Sequence, residues 1–269
     1  MPITLDGTNG ITQAGEFNSD STFGFKNRII DGGFTINQRG YTSGTSLSSG
    51  SYGHDRWKGG ASGGTYTFTQ ASAGVNTTIT ITAGSIIQVI EGVNLPEGGT
   101  YVLSWTGTAQ GKIGAGSFGA SGITGTITAG TNTNIEFNTG TCGNVQLEVG
   151  STATSFDYRP YGTELNLCQR YFTRVGEGFT GWCVNSTTIW LGGSVNQTMR
   201  TAPTVALIST TPSIQTTASP FTATSSAITT STIGANGISM QLNGFSGMTT
   251  DKPCISNNSS PIFSCSSEL

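Results

Sequence analysis

The chain has 269 residues, of which 9% are charged and 34% apolar, with 40 glycines and a formal net charge of −3. An average soluble domain is about 25% charged, so the surface here is built from hydroxyls and amides instead. Scarce Glu, Lys and Ala exclude a coiled coil, unperiodic glycines exclude collagen, and the low net charge excludes charge-driven disorder. The acidic balance, with a pI near 5.1, argues against a nucleic-acid binder, which needs a basic face.

Residues 1–26 are Gly/Asn/Thr-rich with isolated apolar residues, Ile3, Leu5, Ile11 and Phe17 among them. They read as an extended arm that would reach about 80 Å if stretched at about 3.3 Å per residue, its apolar residues docking on a partner. The opening has no basic start and no apolar run of seven, so no secretory signal is expected. No later stretch approaches the roughly 18 apolar residues that span a bilayer. A hydroxyl-rich surface of extracellular type on a chain without an export signal suits a particle component that assembles inside a cell and leaves by lysis.

Residues 27–159 read as strand after strand. TYTFTQ at 65–70 alternates, with Tyr66 and Phe68 on one face. TTITITAG at 77–84 and SIIQVIEG at 85–92 read as two further strands, followed by TYVLSWTG at 100–107, TNIEFNTG at 133–140 and NVQLEVG at 144–150. In the last, Val145, Leu147 and Val149 should share the core face. Short strands separated by Gly, Asn and Pro turns predict an antiparallel β-sandwich, with the jelly roll as the preferred form. Residues 160–172 (PYGTELNLCQRYF) place Leu165, Cys168 and Phe172 at i, i+3 and i+7, a short connecting helix with Thr163 as its N-cap. Residues 173–269 return to β-like sequence and form a second, C-terminal β domain, expected to be distal. The fold class is therefore all-β. The stretch 209–232 is low in complexity, but Ile214, Phe221 and Ile228 recur in it and predict weak strands. This half has few large apolar residues, so burial against sister copies is expected, in an oligomer.

Catalytic chemistry finds little to build on. The one histidine, His54, stands in YGHDRWKGG beside Asp55 and Arg56, which should pair with each other while Trp57 plugs the sandwich. With one histidine a Ser-His-Asp hydrolase has only one possible base, and no GxxxxGK[ST] loop is present. The carboxylates are scattered, and Glu136 and Glu148 are flanked by core positions. Five cysteines, Cys142, Cys168, Cys183, Cys254 and Cys265, show no CxxC spacing and suggest no zinc. Asp31 and Glu148 are conceivable calcium donors, but nothing fixes their spacing, and neither a metal nor a cofactor is assigned. Aromatic residues are more informative, because exposed rings stack on sugars. Trp57 and Trp105 lie in or near strand patterns and read as core. Trp182, in the loop-like GEGFTGWCVN, is the best contact candidate, and Trp190, in STTIWLGG, the second.

Three segments together resemble a recurrent module of bacteriophage tail-fibre and related virion proteins. NRIIDGGFTINQRG at 27–40 is similar to its opening, YGHDRWKGG at 52–60 to its Y-x-x-D-R-W step, and VQLEVGSTATSFDYRPYGTELNLCQRYF at 145–172 to its closing segment. Asp31-Gly32 departs from the Asn-Gly favoured there. The start MPITLDGTNGIT also resembles short phage fibre proteins. The resemblance implies a jelly-roll module similar to carbohydrate-binding domains followed by a C-terminal β domain. It further implies a virion location in the tail or head, assembly as a trimer, and attachment to other virion proteins through the N-terminal segment. The function expected is non-enzymatic host attachment through surface polysaccharide, with a structural head-fibre, capsid or tail decoration protein as the alternative. Neither nucleic acid nor membrane insertion is expected.

Overall fold

Wherever apolar and polar residues alternate the chain forms strands, and the paired strands run antiparallel throughout. The computed structural model describes residues 4–6, 10–12, 25–70, 72, 74–209, 211–216, 220–222, 227–258 and 260–269. The chain begins with an antiparallel pair, β1 (Thr4–Asp6) and β2 (Gly10–Thr12), in which Leu5 stands opposite Ile11. This pairing is local to residues 4–12, and residues 13–24 of the expected arm lie outside the described residues. Ile3 and Phe17 lie outside the described residues.

The first sandwich is built from β3 (Ser46–Leu47), β4 (Lys58–Thr67), β5 (Ile79–Ile90), β6 (Gly99–Thr106), β7 (Gly111–Ile113), β8 (Ile123–Ile127), β9 (Thr133–Phe137) and β10 (Gly140–Val149). One layer has the order β3-β4-β5-β9-β7 and the other β10-β6-β8. The layers join at a corner where the first residues of β10 pair with the first residues of β5, Cys142 opposite Ile79. Two strands were expected over 77–92, but β5 is a single strand of 12 residues. Gly84 makes this possible. It has φ +64 beside an irregularity in the β4–β5 register, and a Cβ there would lie 2.2 Å from the Gly63 carbonyl oxygen, so only glycine lets the strand continue through the kink.

The core between the layers contains Trp57, Tyr66, Ile79, Tyr101, Leu103, Phe137 and Leu147, all fully buried, with Trp105 beside them. Both tryptophans expected in the core are there. Tyr66 and Phe68 do share one aromatic cluster, although β4 ends at Thr67. Val149 departs from the expected pattern and is 48% exposed. Val145 and Leu147 do share the core face, and the polar face of β10 is buried as well. The side-chain amide of Gln146 donates to Glu148 (2.8 Å) and to the Ser155 carbonyl (3.1 Å), and Glu148 accepts from the Thr154 backbone N–H (2.8 Å) and hydroxyl (2.7 Å). Residues 154–157 thus strap over that face and satisfy its polar groups.

Helix α1 (Tyr161–Gln169) connects to the C-terminal half. Its N-cap is Pro160, in extended backbone and without a side-chain cap. Thr163 lies inside the first turn, where its N–H donates to the Pro160 carbonyl (2.9 Å), so it is not the N-cap. Proline fits there because the first helical N–H groups have no partner in any case. Cys168 packs with Ile30, Ile36 and Tyr171 in a small apolar cluster between the helix and the first sandwich, while Phe172 already belongs to the next strand.

The C-terminal half contains β11 (Phe172–Val175), β12 (Thr180–Cys183), β13 (Thr188–Ser194), β14 (Thr204–Leu207), β15 (Ser213–Thr216), β16 (Pro220–Thr222), β17 (Ile228–Ile233), β18 (Gly237–Asn243), β19 (Pro253–Ser256) and β20 (Phe263–Ser266). A sheet ordered β11-β20-β14 and a seven-stranded sheet ordered β16-β15-β19-β12-β13-β18-β17 enclose one core. Strands do form over 209–232, and Ile214 is buried in that core with Phe221 and Ile228 packed against it. Among the described residues this core holds seventeen buried apolar residues from this one chain, including Ile189, Leu191, Met240, Leu242 and Phe263. Each large side chain fully buried contributes about 1.5–3 kcal/mol. Shortage of core was the reason given for sister copies, and the fold removes that reason, because small strands from distant parts of the sequence pool their apolar residues.

Asp55 and Arg56 do not pair with each other. Asp55 accepts from the Gln38 N–H (3.0 Å) and faces Arg39 (3.4 Å), while Arg56 pairs with Glu268 and donates to the Val89 carbonyl (2.6 Å). Adjacent residues on a turn point apart, and each finds its partner on a different element. Among the described residues no helix is long and apolar enough to cross a membrane.

Candidate functional site

Trp182 was expected in a loop and lies instead on β12, between β13 and β19. Alternation sends Cys183 into the core and leaves Trp182 outside, 47% exposed. Trp190 occupies the corresponding outward position of β13, flanked by the fully buried Ile189 and Leu191. The register sets Trp182 directly opposite Trp190, and their rings lie 5.9 Å apart at an interplanar angle of 14°. The two candidates, eight positions apart in sequence, therefore form one unit. Gly181 permits this close pairing, since a Cβ there would lie 1.7 Å from the Trp190 carbonyl oxygen. Trp190 is fixed from the other side by its indole N–H, which donates to the Ser239 hydroxyl on β18.

The pair sits in a transverse row, Pro253–Trp182–Trp190–Gln241, that crosses β19, β12, β13 and β18. The next row is Gln215–Ile255–Thr180–Gly192–Ser239–Thr232. At about 4.8 Å between strands the longer row spans about 24 Å. None of these ten residues is charged. Ile255 is 42% exposed beside Trp182, and a shallow groove of about 420 Å³, lined by Gln215, Thr216, Pro253, Cys254 and Ile255, runs alongside. Such a face offers flat apolar rings for stacking and, around them, hydroxyls and amides that both donate and accept. Pro253, Ile255, Ser239 and Gln241 were not singled out from the sequence. Alternation in PCIS and GISMQLN signals that they face outward, but their placement beside Trp182 depends on strand order.

The other polar candidates are used by the fold. His54 is fully buried among Phe34, Tyr41, Tyr66 and Phe68, with Nδ1 2.9 Å from the Tyr66 hydroxyl. Burial lowers its pKa to about 4, which keeps the ring neutral at physiological pH. Asp31 is also fully buried. Its Oδ1 accepts from the Thr35 N–H (2.6 Å), the Thr35 hydroxyl (3.0 Å) and the Ile36 N–H (3.1 Å), while Oδ2 has no partner. Burial holds this carboxyl well above the usual range, and the Asp55 and Glu164 carboxylates add to the effect. Glu136 pairs with Lys112 at 2.8 Å. Among the described residues, no three His, Cys, Asp or Glu side chains are grouped as a metal site. Burial pushes all five thiols up.

No protein-family model, curated protein or solved structure matches this chain, so the reading of the tryptophan face rests on its own geometry.

Proposed function

We propose that the chain is a bacteriophage virion fibre protein that attaches to host-surface glycans without catalysis, through the outer face of its seven-stranded sheet. The observation that carries the reading is the near-parallel pair of exposed Trp182 and half-buried Trp190 in rows of uncharged, hydroxyl- and amide-bearing residues. Large exposed aromatics on a sheet otherwise well supplied with core are costly unless something covers them. The C–H face of a pyranose suits an indole, and Gln241, one strand from Trp190, with Thr180 and Ser239 in the next row, can engage its hydroxyls. The three segments that resemble phage fibre modules supply the biological setting, including a trimer held to the particle by residues 1–26. Weak single sites suffice there, because many copies on one particle multiply affinity.

The test is adsorption competition by purified protein, with Trp182→Ala as its control. Parent protein at saturating dose should block adsorption and be retained on host polysaccharide. Trp182→Ala should lose at least tenfold of that retention while its unfolding transition stays in place. Retention unchanged by the substitution would refute the assignment.

Exposed Ile255 and Pro253 beside Trp182 favour a second reading, in which sister copies cover this face and the protein decorates the particle. Under that reading Trp182→Ala changes the mass found by light scattering and leaves adsorption unaffected.

A further inference from the structure

Beyond β20 the chain leaves the C-terminal sheets, and Ser267, Glu268 and Leu269 lie against the first sandwich. A main-chain oxygen of each of the three residues accepts a hydrogen bond. The Arg200 guanidinium donates to the carbonyls of Ser267 (2.7 Å) and Glu268 (3.2 Å), and the Tyr52 hydroxyl (2.8 Å) and Lys58 ammonium (2.6 Å) donate to that of Leu269. The Ser267 N–H and hydroxyl donate in turn to the carbonyls of Tyr171 and Arg170. The Glu268 carboxylate is 7% exposed and bridges two guanidiniums, Arg39 at 3.0 Å and Arg56, itself 1% exposed. Both guanidiniums lie over aromatic rings, Arg39 on Phe172 (3.7 Å) and Arg56 on Tyr171 (3.6 Å). The Leu269 side chain packs into the small apolar cluster of Ile30, Ile36, Cys168 and Tyr171.

We infer that the first sandwich carries a built docking site for an acidic–apolar segment, that its occupant is this chain's own Glu268–Leu269, and that this clasp locks the two sandwiches into one rigid body. The site reads charge, main chain and side chain at once. Arg56 is sequestered from water, so withdrawing Glu268 leaves a buried cation without its counter-charge, a strongly unfavourable state. Planar guanidiniums stacked on rings and paired with one carboxylate are held in a geometry that lysine would not reproduce. Arg39 and Arg56 belong to the QRG and DRW segments singled out from the sequence, so those segments serve to hold the far end of the chain. The clasp is independent of what the tryptophan face binds. Its consequence is that this face keeps a fixed orientation relative to the first sandwich.

Calorimetry of the full chain tests the clasp. The parent should unfold in one transition, because each sandwich stabilises the other. Glu268→Ala, and separately a chain ending at Ser267, should unfold in two transitions, gain radius of gyration in solution scattering, and be cut by trypsin at Arg159 or Arg170 at least tenfold faster. Introduced into an Arg39→Met/Arg56→Met background, Glu268→Ala should have no further effect. Should Glu268→Ala not accumulate as folded protein, Tyr52→Phe and Leu269→Ala, which each remove one contact, should still accelerate cleavage. A single transition merely lowered in temperature, with cleavage and radius unchanged, would overturn the inference, since it would make Glu268 an ordinary stabilising residue.

Discussion

Asp31→Asn should make this protein more stable at neutral pH and leave it unchanged in acid. In the fold Asp31 has one oxygen saturated by three donors and the other without a partner, in a fully buried setting near two further carboxylates. The folded state therefore favours the protonated acid, whereas the unfolded chain releases that proton near 3.8. A raised folded pKa means that the favourable contribution is complete below pH 4 and is lost as pH rises. At about 1.4 kcal/mol per pH unit, the loss at pH 7 reaches at most about 4 kcal/mol, the limit at which the folded carboxyl keeps its proton throughout. Asparagine keeps the same Oδ1 acceptor and carries no ionisation. Its Nδ2 would replace a hydroxyl that the protonated acid already leaves unpartnered, so parent and variant match in acid. The expected effect at pH 7 is a gain for the variant, bounded above by about 4 kcal/mol. Urea unfolding of parent and variant at half-unit steps from pH 4 to 8 provides the assay, because the other titrating groups are common to both and cancel. A variant less stable than the parent at pH 7.5, or two stability curves that stay parallel across the range, would refute the reasoning.

Asp55 gives a second pH dependence. Burial raises its pKa to about 6, against the opposing pull of Arg39 and Gln38. Asp55 should therefore contribute a fall in parent stability of about 2 kcal/mol between pH 4 and 6, and in Asp55→Asn the slope of the urea midpoints should shrink by that amount, leaving the part due to Asp31. Trp57→Ala should cost about 3–5 kcal/mol by emptying the centre of the first core, seen as a large drop in the urea midpoint, whereas Trp182→Ala should cost little. The five thiols are buried, and burial lifts those of Cys254 and Cys265 to about 12 and about 11. A disulfide reagent at pH 8 should therefore label fewer than one thiol per chain within minutes in the native protein, and five in guanidinium.

Local sequence was sufficient for local decisions. Alternation in TNIEF, NVQLEV and STTIWLGG set strand against helix and chose which residues turn inward, because side-chain direction along a strand has period two whatever lies beyond it. Strand patterns also marked Trp57 and Trp105 as core, whereas Trp182 was singled out by a loop-like setting that the fold replaces with a strand. Alternation failed where a second layer intervened. Val149 follows the apolar rhythm yet is exposed, and Glu148 breaks it yet is buried, because residues 154–157 cover one face of β10 and no pattern within β10 records that cover. The division at 84–85 was misread because glycine signals a turn and a tolerated kink equally well.

Pairings between distant residues were decided by tertiary structure alone. Trp182 and Trp190 become one surface only through the register of β12 on β13 and the order of the strands around them. Arg56 stands next to Asp55 in sequence and finds its carboxylate at Glu268, 212 positions away. The C-terminal half looked too poor in apolar residues for a core, yet among the described residues it assembles one from seventeen side chains spread over ninety-one positions. The physical reason is common to all three. Periodicity and charge report what each residue prefers to face, whereas which residues meet is settled by the closure of long loops around a shared core, and that depends on the whole chain at once.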